Sequence, residues 1–241
     1  MTGPESEANV PASELMNHED QGKRGVTMTS REEIKALLDT DQIYIADTPE
    51  MKQVQDAQQD LVFDFNACRP SQVEKKQDLC KKMFGSFGQG SWIEGPIRAN
   101  WACNTYWGSK CYANFNLVLV DDGRIDIGDH TMFGPNVTIV TTGHAIRPDI
   151  RAYGTPQFTV PVSIGRNVWI GAGAIVMPGV TIGDNTVVGA GSLVTKDIPS
   201  DVVAYGHPCK VIRPINDHDY EYFWRDRRYQ APYDARPFRM D

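Results

Sequence analysis

No stretch of this 241-residue chain is apolar for the length that a membrane-crossing helix needs, and its N-terminus lacks the apolar core of a signal peptide. Basic charge is short. The 24 Lys and Arg stand against 31 Asp and Glu for a net charge of -7, so there is no cationic face of the size that phosphate backbones require, which excludes a generic nucleic-acid binder. The mild acidity is read as a contribution to solubility. Cysteine is sparse: Cys68, Cys80, Cys103, Cys111 and Cys209 form no CxxC pair and stand at no zinc-like spacing with histidine. They read as buried free thiols, which favours a reducing compartment and cytoplasmic residence, with no membrane partner. Between residues 96 and 213 the only histidines are His130, His144 and His207, without the paired spacing of a three-histidine zinc site, so no metal is expected.

What the chain does have is a period. An aliphatic residue recurs every six positions, mostly followed by a small one: Ile164, Ile170, Val176, Ile182, Val188 and Val194. The same spacing runs back through Trp107, Ala113 and Leu119 and then, after a two-residue slip, through Ile127, Phe133 and Ile139. A helix repeats every 3.6 residues and an ordinary strand every two, whereas a chain wound as a triangular prism resets at each corner after about six residues. The fourth residue after each repeat aliphatic is small or β-branched (Val168, Ala174, Val180, Thr186, Ser192), which suits the crowded inside of such a coil. The pattern predicts a left-handed parallel β-helix over residues 96–213, rather than a sandwich of short strands.

The flanks differ. Residues 1–27 are rich in Glu, Ser, Asn, Pro and Gly and read as a disordered tail. Residues 28–95 read as a helical cap on the open end of the prism. Ser30 with Glu33 marks one helix start, Thr48 before Pro49 a second that runs towards Phe65, and Ser71 with Glu74 a third whose apolar stripe is Val73, Cys80, Met83 and Phe84. Residues 214–241, with Tyr220, Tyr222, Phe223, Trp224 and Tyr229, form an aromatic extension that packs on the prism or on a neighbouring subunit.

The period breaks once in its second half, at TTGHAIRPDIRAYGTPQFTVPVS, which makes residues 140–163 an inserted loop. A regular solenoid offers no shaped cavity, and an insertion supplies walls. His144 stands where coil gives way to loop. Anchored on rigid backbone yet facing the space under the loop, an imidazole there suits a general base, since it exchanges its proton near neutral pH.

CYANFNLVLVDD, VTIVTTGHAI and VSIGRNVWIGAGAIVMPGVTIGDNTVVGAGSLVTKDIPSDVVAYGHPCKVI together resemble the hexapeptide-repeat sugar O-acetyltransferases, the group of the galactoside, maltose and nodulation acetyltransferases. The ending INDHDYEYFWRD is nearest the galactoside branch. The resemblance implies a homotrimer with active sites between subunits, acetyl-coenzyme A as donor, a sugar or glycoside as acceptor, and His144 as general base. It implies acceptor contacts at Asn114, Asp122, Asp47 and Asn100. Donor contacts fall on Ala172, Ala190, Thr195, Lys196, Lys210 and Arg213, with Trp169 lining the groove. Alone, Asp122 with Gly123 reads as a corner turn and each alanine as a tight coil position. Lys210 stands where the galactoside enzymes have arginine and Asn100 where they have serine. The loop is one residue longer, and the methionine that contacts acceptor there has no clear counterpart. Two other readings stay open: an acetyltransferase with an amine acceptor, and a non-catalytic β-helix scaffold.

Overall fold

In the computed structural model, which describes residues 36, 38, 42–45, 48–154 and 156–230, the helices Pro49–Asn66 and Val73–Met83 lead into a long parallel solenoid. Helix α1, Pro49–Asn66, starts as its sequence predicts: Thr48 is extended, its Oγ1 accepts the Met51 N–H at 3.2 Å, and proline occupies the first turn. It buries Met51, Val62 and Phe65. Helix α2, Val73–Met83, departs from the predicted capping box. Its N-cap is Gln72, without a side-chain cap, because the Gln72 carbonyl oxygen Oε1 folds back to accept the Arg69 N–H at 2.9 Å and closes a turn there. Val73 falls on the outer side at 49% exposure, while Leu79, Cys80 and Met83 face inwards. Lys76 is buried with its ammonium 4.5 Å from the Trp92 ring centroid and 5.2 Å from that of Phe65, a cation held over aromatic faces. The tail 1–27, the helix start at Ser30 and Glu33, Asp47, and residues 231–241 lie outside the described residues.

Three parallel sheets form the sides of the prism. On the first face Phe87, Trp107, Ile127, Ile164 and Ile182 stand in register; on the second, Ile93, Ala113, Phe133, Ile170, Val188 and Ala204; on the third, Ala99, Leu119, Ile139, Val176 and Val194. These are the six-residue positions, and nearly all are buried. Val168, Ala174, Val180, Thr186 and Ser192 are buried with them. The fold is the left-handed parallel β-helix that the period predicts. It opens earlier than residue 96: Ser86–Phe87 and Trp92–Ile93 already pair in the first and second sheets, because Phe87, Ile93 and Ala99 carry the same spacing one coil further back. Phe84 and Phe87 stack at 5.8 Å over Trp107 and join α2 to the shaft. At the far end, Val202–Gly206 pairs antiparallel with Cys209–Pro214.

The outward ladders differ from face to face. The first face shows Ser86, Tyr106, Asp126, Ser163 and Thr181. The second shows Trp92, Tyr112, Met132, Trp169, Val187 and Val203, and the third Arg98, Val118, Thr138, Ile175 and Leu193. One side is polar and two are largely apolar.

The corner between the third and first faces is where the period stretches. Ala99 to Trp107 and Leu119 to Ile127 are each steps of eight rather than six, and Ile139 to Ile164 is the long insertion. All three expansions stack on one edge of the prism. The insertion is itself ordered: Thr142–His144 pairs antiparallel with Gln157–Thr159, and the short helix Pro148–Arg151 forms its tip.

Candidate active site

The stacked expansions bring polar side chains together that a regular coil would keep apart. Asp121 and Asp122, both buried, occupy the middle corner. Asp121 turns inwards and accepts from the Trp101 N–H and the Thr105 hydroxyl, each at 2.9 Å. Its burial pushes the carboxyl up to about 7, against the lowering effect of those donors. Asp122 turns the other way. Its Oδ2 accepts from Asn100 Nδ2 at 3.0 Å, and its Oδ1 accepts from Trp101 Nε1 and Gln157 Nε2, each at 3.2 Å. Gly123 is closely packed: a Cβ there would stand 3.0 Å from Thr159 Cβ and 3.3 Å from Thr141 Cβ, so those threonines would have to shift by a few tenths of an ångström.

His144 ends the first arm of the hairpin, directly opposite Gln157 in register. Its Nδ1 lies 3.1 Å from the Pro156 carbonyl oxygen. A carbonyl only accepts, so Nδ1 carries the hydrogen and the Nε2 lone pair is left to take a proton. Gln157, opposite His144 in register, is also the residue that donates to the Asp122 carboxylate. Tyr44 joins on the outer side: its backbone pairs with that of Gln157 in both directions at 2.9 Å, and its hydroxyl accepts from Gln157 Nε2 at 3.0 Å. Burial, with the Asp122 charge beside it, pushes the Tyr44 phenol up to about 12, so it remains a hydrogen-bond donor at neutral pH. Asn100 also lines a cleft of about 960 Å³ between α1 and the third face, walled by Gln59, Phe63, Val118 and Val120.

The remaining expected site residues lie elsewhere. Asn114 follows the second-face strand Tyr112–Ala113, and Ala172 and Ala190 follow Trp169–Ile170 and Val187–Val188, so all three stack on the edge between the second and third faces. A single prism therefore does not bring Asn114 to Asp122. Along that edge the backbone is bare: a Cβ on Gly173 or Gly191 would meet nothing within 4 Å. This is room for an extended, narrow chain such as a pantetheine arm to lie against the coil. Thr195 and Lys196 follow the last third-face strand and are exposed, so they return to the His144 edge. Trp169 stands on the outer second face at 52% exposure. Lys210 is exposed on the closing hairpin. Arg213 does not point freely towards an anion, because its guanidinium makes a two-pronged pair with Asp219 at 2.6 and 2.7 Å. Among the described residues no group of His, Cys, Asp or Glu is arranged to hold a metal ion, and no helix is long and apolar enough to cross a membrane.

Trp101, Tyr44, Gln157 and Asp121 escaped the sequence reading. The two eight-residue steps were the available signal, since each marks a corner with two residues to spare.

A three-sided solenoid of six-residue rungs, carrying one histidine-bearing hairpin at a corner, is a hexapeptide-repeat fold. The family profile described as bacterial transferase hexapeptide (six repeats) matches residues 161–196, and that of the maltose acetyltransferase hexapeptide capping motif matches residues 41–88. The galactoside O-acetyltransferase of Escherichia coli (strain K12) is 47% identical over 171 residues, 71% of this chain and 84% of that one. That of Lactococcus lactis subsp. lactis (strain IL1403) is 48% identical over 183 residues, 76% and 88% of the two chains. A solved galactoside acetyltransferase in complex with coenzyme A superposes with a TM-score of 0.77 at 42% identity, over 83% of this chain and 98% of that one. The chain belongs to the hexapeptide-repeat sugar O-acetyltransferase family.

Proposed function

We propose that the protein moves an acetyl group from acetyl-coenzyme A directly to a hydroxyl of a sugar or glycoside, with His144 as general base. The observation that carries this is the His144 Nδ1 to Pro156 carbonyl bond, which leaves Nε2 as a proton acceptor on the residue opposite Gln157, itself bonded to Asp122. His144 takes the hydroxyl proton as the oxygen attacks the thioester carbonyl, and returns it to the departing coenzyme A sulfur. The thioester is already activated, so alignment and proton removal suffice and no acyl-enzyme is required. Asp122 and Asn100 supply the paired acceptor and donor groups that sugar hydroxyls need. Ala172 and Ala190 flank the bare backbone strip for the pantetheine arm, and Lys196 and Lys210 are the exposed cations that reach nucleotide phosphates. Arg213 reaches them only by leaving Asp219.

The split of these residues between two edges supports a homotrimer. A site that uses Ala172, Ala190 and Asn114 together with His144, Asp122 and Thr195 needs the second-to-third edge of one prism against the third-to-first edge of another. The two largely apolar outer faces, Trp169 among them, fit burial between subunits, while the polar first face fits water. Five unpaired thiols fit a cytoplasmic setting.

The test is coenzyme A release from acetyl-coenzyme A across sugars, glycosides and simple amines, with wild type beside His144→Ala. Sugar-dependent turnover that drops about a hundredfold to ten-thousandfold in the variant, with coenzyme binding intact, is the expected result. Turnover with amines alone would reassign the acceptor.

A further inference from the structure

We propose that Gln157 is a positioning and specificity residue, which saturates one oxygen of Asp122 and so directs the acceptor's hydroxyl to the other. The inference rests on the acyl-transfer reading above. The Gln157 amide has two N–H groups, and both are taken, by Asp122 Oδ1 at 3.2 Å and by the Tyr44 hydroxyl oxygen at 3.0 Å. A carboxylate offers about four acceptor positions, two on each oxygen. Oδ1 has both filled, by Gln157 and by the Trp101 indole; Oδ2 has one filled, by Asn100. The remaining position on Oδ2 is where an incoming hydroxyl donates.

The backbone of Gln157 fixes the geometry. It pairs with His144 on one side and, through two 2.9 Å bonds, with Tyr44 on the other. One residue of the hairpin's return arm thus bonds the carboxylate and the phenol and stands opposite the base in register. The Tyr44 hydroxyl, held by Gln157 and also bonded with the Thr159 side chain, braces the Gln157 amide from the side away from Asp122. Tyr44 is 113 residues away in sequence, so no repeat pattern links them.

Gln157→Met keeps the length of the side chain and removes both N–H groups; Gln157→Glu also places a second carboxyl against Asp122. Both are assayed in the full chain with whichever acceptor the wild type acetylates fastest from the sugar, glycoside and amine panel, so the measurement stands even if the sugar reading fails. The acceptor KM of Gln157→Met rises roughly tenfold, as for loss of a hydrogen bond to a charged group, while the acetyl-coenzyme A KM and the melting temperature stay at wild-type values. In Gln157→Glu the acidic limb of kcat/KM moves upwards, since two adjacent carboxyls resist joint ionisation. An acceptor kcat/KM for Gln157→Met within twofold of wild type overturns the proposal. So does an equal rise in both KM values with a lowered melting temperature, which is what a merely structural residue would give.

Discussion

The coils from Ile164 to Val194 and the coils before the insertion share one core but not one edge. In the later coils each step takes six residues, the backbone runs bare past Gly173 and Gly191, and the charged pair Arg166–Asp184 lies open to solvent rather than buried in a corner. In the earlier coils the third-to-first corner takes eight, and the extra residues carry Trp101, Asp121 and Asp122. The interior does not register the change: Leu119 and Ile139 are as buried as Val176 and Val194. Regular rungs supply a smooth surface, and departures from the rung supply chemistry.

The comparison predicts that damage to the shared shaft is large and indifferent to the edge. Phe133 is fully buried, with its ring 5.6 Å from that of Trp107 and edge-on to it; Phe133→Ala lowers unfolding free energy by about 3–5 kcal/mol in denaturant titrations. Damage to the expanded edge is smaller and selective. Asp122→Asn keeps an oxygen for Trp101 and Gln157 but turns Oδ2 into a donor. The acceptor KM rises roughly tenfold while the acetyl-coenzyme A KM holds, and a rise in both would mean that the two regions are not separate.

The expanded edge also carries a pH signature. Asp121 ionises at about 7 in the fold and near the ordinary carboxyl value when unfolded. The folded state therefore binds its proton more tightly, so its contribution is greatest below about pH 4, declines as pH rises towards 7 and is flat above. Melting temperatures across that window fall less steeply in Asp121→Asn than in wild type. The smallest effect belongs to the closing hairpin: Arg213→Ala changes stability by less than about 1 kcal/mol, because its pair with Asp219 is partly open to solvent. A raised acetyl-coenzyme A KM in that variant would show that Arg213 exchanges Asp219 for phosphate.

The prism was legible because its signal is local and repeated. Each coil needs the same inward residue, so the sequence states the rule many times, and even the first coil, unread at Phe87, Ile93 and Ala99, obeys it. Helix α1 was legible from Thr48 and Pro49. The capping box at Ser71 was not realised because Gln72 offered its own side chain to the preceding turn, a competition within four residues that a pattern match does not weigh. His144 could be placed by its position at the break. Its neighbours could not, since Gln157, Trp101 and Tyr44 meet only once three corners are stacked. Arg213 looked like a free cation because Asp219 becomes its partner only through the turn and short helix that follow it.

The insertion leaves and rejoins the prism at almost one point. The Val160 N–H donates to the Thr141 carbonyl at 2.7 Å, and the arms between are zipped from Thr142 to Thr159. Lengthening a segment whose ends are already held together adds only about 0.6 kcal/mol of closure entropy for each doubling. The hairpin is therefore an exchangeable cassette: its tip can be recut in length and sequence while every rung of the shaft keeps its register.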